Sequence, residues 1–234
     1  MATTQKAKNS TSNWSDLFPA QIEDEKTSAT FVSKLVAIGV SQIVYLRTEM
    51  PDRCFEMKDL DGIPLKILNP SHAESKEFCE LVAGALSGVR RRYLSELTLA
   101  LYADPDHPEE AFETYTFSFA YFRDGETSIS VDTDGDKNSG RKTKVQKNNL
   151  NKTTRRMLRS IITTAQSESF EDPRGDIYAT ILLKWNADTP ADFEPRGFTP
   201  AKYMLGLHKK TDGVSAGCVK TDFHAVGANI ANLK

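Results

Sequence analysis

Several things are scarce in this chain, and each scarcity closes off a class of function. Cysteine is nearly absent: Cys54, Cys79 and Cys218 are odd in number and far apart. They make no disulfide framework, and they suit a reducing compartment. Histidine is as thin. None of His72, His107, His208 and His224 lies four residues from another, so the helical HExxH pair is missing. So are a nucleophile elbow GxSxG, a phosphate-cradling P-loop, GxGxxG and CxxC. Asp132, Asp134, Asp136 and Asn138 alternate like a calcium loop, but Lys137 stands at the glycine position and Thr143 at the position of the bidentate acid. No catalytic constellation, metal site or cofactor is therefore expected. A charge excess is lacking too. The 30 basic and 32 acidic residues leave a formal net charge of −2, so the chain as a whole is not drawn to nucleic acid or an anionic membrane. No uninterrupted apolar run approaches the ~20 residues of a spanning helix. The N-terminal MATTQKAKNSTSNWSDLF has no apolar signal core, and no membrane partner is expected.

What is present is a globular composition, 39% hydrophobic and 26% charged, enough for one large domain with polar ends. Residues 1–22 are rich in Ser, Thr, Lys and Asn and read as a disordered arm. Within it Trp14, Leu17 and Phe18 form an apolar cluster, either an anchor onto the domain's own surface or a short docking motif. From Asp24 a helix begins, with Asp24 and Glu25 at the positive end of its dipole. Val32, Leu35, Val36, Gly39, Ile43 and Leu46 fall at helical spacing, and Phe31, Ile38, Val40 and Val44 carry the stripe nearly round it. A helix so apolar is buried on several sides. Residues 50–70 read as irregular, with short extended pieces at Cys54–Phe55 and Leu65–Leu68. Ser71 and Glu74 have capping-box spacing, which opens a helix over about 73–90 closed by Arg90, Arg91 and Arg92.

Tyr93 to Ala103 and Phe112 to Phe122 alternate with period two across a turn at Asp104–Glu109, an antiparallel hairpin. Tyr115, Phe117, Phe119 and Tyr121 give it an aromatic face for helices to cover. A loop over 124–149 leads into a helix over about 150–166. Lys137 to Arg159 holds nine basic residues and no acid. Lys152, Arg155, Arg156 and Arg159 are candidate phosphate contacts; the alternatives are a solvated helix face or a surface for an acidic partner. Ile177 to Trp185 alternates as a strand. Pro190 and Pro195 stop it and stiffen a linker that reaches Gly197 and Phe198. Residues 201–234 alternate weakly between four glycines, which marks low-stability β material.

Four of these stretches carry a resemblance. TPADFEPRGF, at Thr189 to Phe198, resembles the TPxDYEPPxF element of meiotic HORMA-domain proteins, with Phe193 for the usual Tyr and Arg196 for the second Pro. FVSKLVAIGVSQIVYLR at Phe31–Arg47, RRYLSELTLALYAD at Arg91–Asp104 and ETYTFSFAY at Glu113–Tyr121 resemble the family's first helix and its first two long strands, in the same order. The resemblance implies an α+β, HORMA-like fold: a three-stranded antiparallel sheet, three main helices packed on it and a C-terminal safety-belt segment. Residues 1–22 would be the arm, 23–234 the domain and about 198–230 the belt. The chain ends at Lys234, near where a belt would end, so the long tail of meiotic relatives is expected to be absent from it.

The function implied is a non-enzymatic one on meiotic chromosomes in the nucleus. An extended closure motif from a HORMA paralogue, or from a cohesin-associated or coiled-coil axis protein, would add to the sheet as a strand under the belt, in support of axis assembly, synapsis and recombination. The edge would be Ile177, Tyr178, Ala179, Thr180, Ile181, Leu182, Leu183 and Trp185. The belt would supply Tyr203, Leu205 and Leu207, and Leu158 and Ile162 a packing wall. Pro190, Pro195, Gly197 and Phe198 would be the hinge. An AAA+ remodelling ATPase would take hold of the arm. The alternatives are DNA binding through the basic segment and a checkpoint or DNA-repair HORMA adaptor.

Overall fold

The computed structural model describes residues 14–122, 147–167, 175–201 and 213–232. Its axis is α2 (Glu25–Arg47). Asp24 caps it: the carboxylate accepts from the Thr27 amide at 2.7 Å, while the Asp24 amide donates to the Thr27 hydroxyl at 3.2 Å. Phe31, Leu35, Val36, Val40 and Ile43 are all but fully buried. This helix is in fact long and apolar enough to span a bilayer, contrary to the first reading of the sequence. Its side chains are taken up by protein instead, because helices and strands pack around it. Gly39 lets the Phe117 ring and Ile161 approach the helix closely; a Cβ there would meet Phe117 at 3.2 Å.

The sheet packed against α2 has five antiparallel strands in the order β5-β3-β4-β7-β6. Its centre is the expected hairpin, β3 (Leu94–Tyr102) and β4 (Glu113–Tyr121), with β5 (Tyr178–Trp185) on β3. Tyr115 and Phe117 face the helices and are buried, as the alternation predicts. The C-terminal hairpin, β6 (Val214–Lys220) and β7 (His224–Asn232), extends the three expected strands to five. β7 pairs with the whole of β4, from Glu113 with Asn232 to Tyr121 with His224. Val219, Val226 and Ile230 lie in the core, so this material is firmly packed rather than weakly held. Residues 55–68 are ordered as well. β1 (Phe55–Leu60) and β2 (Ile63–Leu68) form a hairpin whose turn is Asp61-Gly62, with φ of 49° and 82°. Two successive positive φ values are what a tight primed turn requires.

Several boundaries move. α1 (Trp14–Leu17) seats Leu17 and Phe18 in the core, and Phe18 packs on Phe31 with ring centroids 5.1 Å apart. The anchor reading of that cluster is therefore the right one. α3 (Ala73–Leu86) has His72, without a side-chain cap bond, as its N-cap. Glu74 turns to Arg53 instead of capping. The helix stops at Leu86 and breaks into tight turns, so Arg90–Arg92 lie beyond it. α4 (Lys147–Ala165) presents Met157, Leu158, Ile161 and Ala165 to the core.

Two buried polar clusters tie α2 to the sheet. Arg47 donates through Nε and Nη2 to Glu113 Oε2 at 3.0 and 2.9 Å, and Tyr115 donates to Oε1 of the same carboxylate. At the other end Ser28 Oγ lies 2.6 Å from Thr221 Oγ1 and 2.8 Å from His224 Nδ1. Burial pushes the His224 pKa down to about 4; Glu25 opposes the shift and Arg92 adds to it. The neutral ring belongs to the folded state, whereas the unfolded ring has an ordinary pKa near ~6.5. Stability is therefore full at pH 7 and is lost as pH falls through the window from about 6.5 to about 4. Between pH 7 and pH 5 the loss is about 2 kcal/mol. His224→Asn should flatten the melting temperature over that range. Equal slopes in variant and parent would show that another group is responsible.

Candidate functional site

The site is built by the chain that leaves β5. Trp185 ends the strand, and the next residues are held where they turn away. The Asn186 amide donates to Tyr93 O at 2.6 Å and its side-chain nitrogen to Arg92 O at 2.7 Å. Phe193 then wedges between Trp185 and Tyr93, edge-on to both at 5.2 and 5.0 Å, with the Arg91 guanidinium 5.3 Å above its ring. Each proline starts a turn: the Phe193 amide donates to Pro190 O, and the Phe198 amide to Pro195 O. Pro195 is buried and Phe198 half-buried, so the predicted hinge is a seated element.

Its seat is α3. A Cβ on Gly84 would lie 2.2 Å from Arg196 O, and one on Gly88 would lie 2.8 Å from the Trp185 ring. Gly197, at φ 86°, rides over Leu81, and Arg196 reaches Glu80 at 3.3 Å. Gly84, inside the helix, and Gly88, in the turns after it, were the available sequence signal. Glycine inside an apolar helix costs about 1 kcal/mol against alanine, so it marks close approach by another segment.

Among the described residues β5 pairs with β3 alone, which leaves its outer edge of backbone donors and acceptors free. A cleft of about 640 Å³ lies beside the start of that edge, with Phe78, Leu81, Ile177 and Ala179 among its lining residues and Glu74 and Glu77 near its rim. Of the predicted edge residues, Ile177 and Ala179 line the cleft. Tyr178 is 38% exposed and stacks on Tyr102 at 5.8 Å. Thr180 and Leu182 are half-buried opposite Ala100 and Thr98. Ile181, Leu183 and Trp185 are largely spent on the core, so they offer main chain more than side chain.

Two predicted wall residues are elsewhere. Leu158 is fully buried and Ile162 half-buried on α4, which packs along β6 and α2, away from the β5 edge. The helix beside the start of β5 is α3, through Phe78 and Leu81, while the apolar stripe of α4 is turned toward the C-terminal hairpin and α2. Tyr203, Leu205 and Leu207 lie outside the described residues, as do the aspartates at 132, 134 and 136. The basic helix divides. Arg155 is taken by Asp61 at 3.1 Å, while Lys152, Arg156 and Arg159 are exposed along one face.

Known proteins share this arrangement. The HORMA domain family profile matches residues 28–224. HORMA domain-containing protein 2 of Bos taurus is 29% identical over 92% of this chain and 70% of its own length. HORMA domain-containing protein 1 of Rattus norvegicus is 29% identical over 78% of this chain and 46% of its own length. Among solved structures, C. elegans HTP-2 bound to HTP-3 closure motif 1 superposes with a TM-score of 0.79 at 17% identity, covering 99% of this chain and 96% of that one. C. elegans HTP-1 bound to a HIM-3 closure motif gives 0.79 at 19% identity, over 94% and 96%. The mitotic checkpoint complex gives 0.64 at 13%, over 88% and 98%. HORMA domains are protein-interaction adaptors rather than enzymes. The match across most of the chain, on the sheet order and helices described above, shows that this chain belongs to the HORMA domain family.

Proposed function

We propose that this domain is a peptide clamp of the meiotic chromosome axis. An extended closure motif from a partner axis protein, whether a HORMA paralogue, a cohesin-associated or a coiled-coil protein, adds as a strand to the free edge of β5. The segment between Trp185 and Val214 closes over it as a safety belt. The observation that carries this reading is the sheet order. With β5 at one edge and β6 at the other, the chain between them must cross the domain, while among the described residues the outer edge of β5, beside an apolar cleft, has no strand paired to it. Main-chain bonds at that edge supply affinity, the Phe78–Leu81–Ile177 cleft supplies selectivity, and a strap laid over the strand acts chiefly on the off-rate. The relatives named HORMA domain-containing protein and the worm neighbours solved with closure motifs support the same reading.

In this reading the domain works in the nucleus, on meiotic chromosomes, in synapsis and recombination control. A AAA+ ATPase that takes residues 1–13 pulls directly on α1. Trp14 of α1 lines a small cleft together with Leu150 and with Thr221 and Asp222 of the β6–β7 turn, so traction there acts beside the hairpin that anchors the belt.

Calorimetric titration with tail peptides of axis proteins should give dissociation constants from nanomolar to micromolar, about −12 to −8 kcal/mol. Ala179→Trp fills the cleft without removing a strand and should weaken binding at least about tenfold, ~1.4 kcal/mol. Failure of every peptide to bind would leave the family as a fold without this activity. Truncation after Gly197 is a poor test, because it strips Val219, Val226 and Ile230 from the core.

Gly84→Ala tests the strap. Helix propensity alone favours the alanine by up to about 1 kcal/mol, yet the Cβ collides with Arg196 O. Hydrogen exchange at 193–198 should accelerate and a bound peptide should leave faster. Unchanged exchange would mean the linker is not held by α3.

A second reading rests on the exposed face formed by Lys152, Arg156 and Arg159. If it meets DNA phosphates, binding falls steeply with salt. Arg156→Glu with Arg159→Glu should then remove most of it. An isotherm identical to the parent's excludes the face as a DNA contact.

A further inference from the structure

α3 has a second side. Opposite the strap, it runs beside α2 and the end of β2, and between them is an open groove of about 630 Å³. Its floor and walls are apolar: Ala37, Ile67, Leu68, Val82, Ala83 and Leu86. One end is basic, with Lys34 from α2 and Arg90 and Arg91 from the turns after α3. All three are exposed. Lys34 and Arg90 have no hydrogen-bonding or ion-pair partner among the described residues.

The chemistry of the walls narrows the occupant. The backbones of α2 and α3 are satisfied within their helices. The groups of β2 that face α2 are already taken: Gln42 donates to Lys66 O at 2.6 Å and accepts from its amide at 3.2 Å, and the Leu68 amide donates to Ser41 Oγ at 3.3 Å. An extended strand therefore finds no main-chain partners here, unlike at β5. Two helices with a groove between them accept a third helix, side chains down. The stretch from Ser33 to Ser41 is about 12 Å long, two to three turns of a packed helix. The basic end requires carboxylates on that helix. The chain's own residues 1–13 carry Lys6 and Lys8 and no acid, so they have the wrong charge to fill it.

We propose that the α2–α3 groove is a second docking site, for an acidic amphipathic helix of a partner protein. Leucine-like side chains enter between Ala37 and Val82, and glutamates or aspartates meet Lys34, Arg90 and Arg91. The site is separate from the β5 edge and does not depend on the peptide-clamp reading. The two are nevertheless neighbours, since Arg91 also covers Phe193 at the root of the strap.

The test is fluorescence anisotropy with the full chain and a labelled synthetic helix of about fourteen residues, leucine at i, i+4, i+7 and i+11 and glutamate between. Saturable binding is expected. Both Lys34→Glu with Arg90→Glu and, separately, Ala83→Trp should weaken it at least about tenfold. Ala83 is exposed on the groove wall, so its replacement leaves the core intact, which circular dichroism verifies. Ala179→Trp should leave this binding unchanged. The proposal is overturned if no saturable binding occurs, if Ala83→Trp binds like the parent, or if a scrambled peptide of the same composition binds equally well, which is charge attraction alone. It is also overturned if Ala83→Trp changes the sedimentation of the chain by itself, since the groove is then covered by a second copy.

Discussion

The pairing of β7 with β4 is the constraint on which the rest of this domain depends. It runs unbroken for the length of both strands, from Glu113 opposite Asn232 to Tyr121 opposite His224. Once the C-terminal hairpin occupies the β4 side, three things follow without further choice. The aromatic strand β4 becomes central and its Tyr115 and Phe117 side chains are sealed. α4 must cover the hairpin and is unavailable elsewhere. The chain between Trp185 and Val214 must travel across the sheet, about 19 Å at ordinary strand spacing, while among the described residues β5 pairs with β3 alone. A long unpaired edge is ordinarily a liability, which proteins cover or charge. Here it lies beside an apolar cleft lined by Phe78, Leu81, Ile177 and Ala179.

Position along the sheet is fixed by polar groups as much as by apolar ones. The hydrophobic face of α2 would tolerate sliding along the strands, because apolar contact has little direction. The Arg47–Glu113–Tyr115 cluster at one end and the Ser28–Thr221–His224 cluster at the other do not tolerate it. Each leaves a desolvated group unpaired if the helix shifts, at a cost of several kcal/mol for a buried ion pair that loses its partner. The second cluster joins the first turn of α2 to the start of β7. The N-terminal helix and the C-terminal hairpin are thus stabilised together, and Trp14 of α1 stacks on Phe31 of α2.

α3 shows how one short helix serves two surfaces. Gly84 on one face admits the backbone of the linker, and Gly88 in the turns just past the helix admits the Trp185 ring. Its larger apolar face, Val82 and Leu86, lines the groove against α2. A side chain on the first face would expel the strap, and the second face is too wide for α2 alone to fill. The turns after the helix then place Arg91 over Phe193, where the two surfaces come closest.

The sequence by itself determined the elements. The wraparound stripe of α2, the alternation of β3, β4 and β5, the stop imposed by Pro190 and Pro195, and the resemblance of four stretches were all local or periodic signals. A side chain's period reports which face is buried. It does not report what buries it. Leu158 and Ile162 belong to a stripe that must be buried, and only the fold shows that α2 and the C-terminal hairpin bury it, while Val226 and Ile230, diluted by glycines, read as weak when they are core. Buried Arg47 in its apolar run gave no sign of Glu113, sixty-six residues away. Tertiary structure alone decided, among the described residues, which strand edge has no paired neighbour, which helix lies beside it, and which cations have no ion-pair partner. Those outcomes depend on contacts between segments distant in the chain, where packing and desolvation, rather than the order of neighbouring residues, set the free energy.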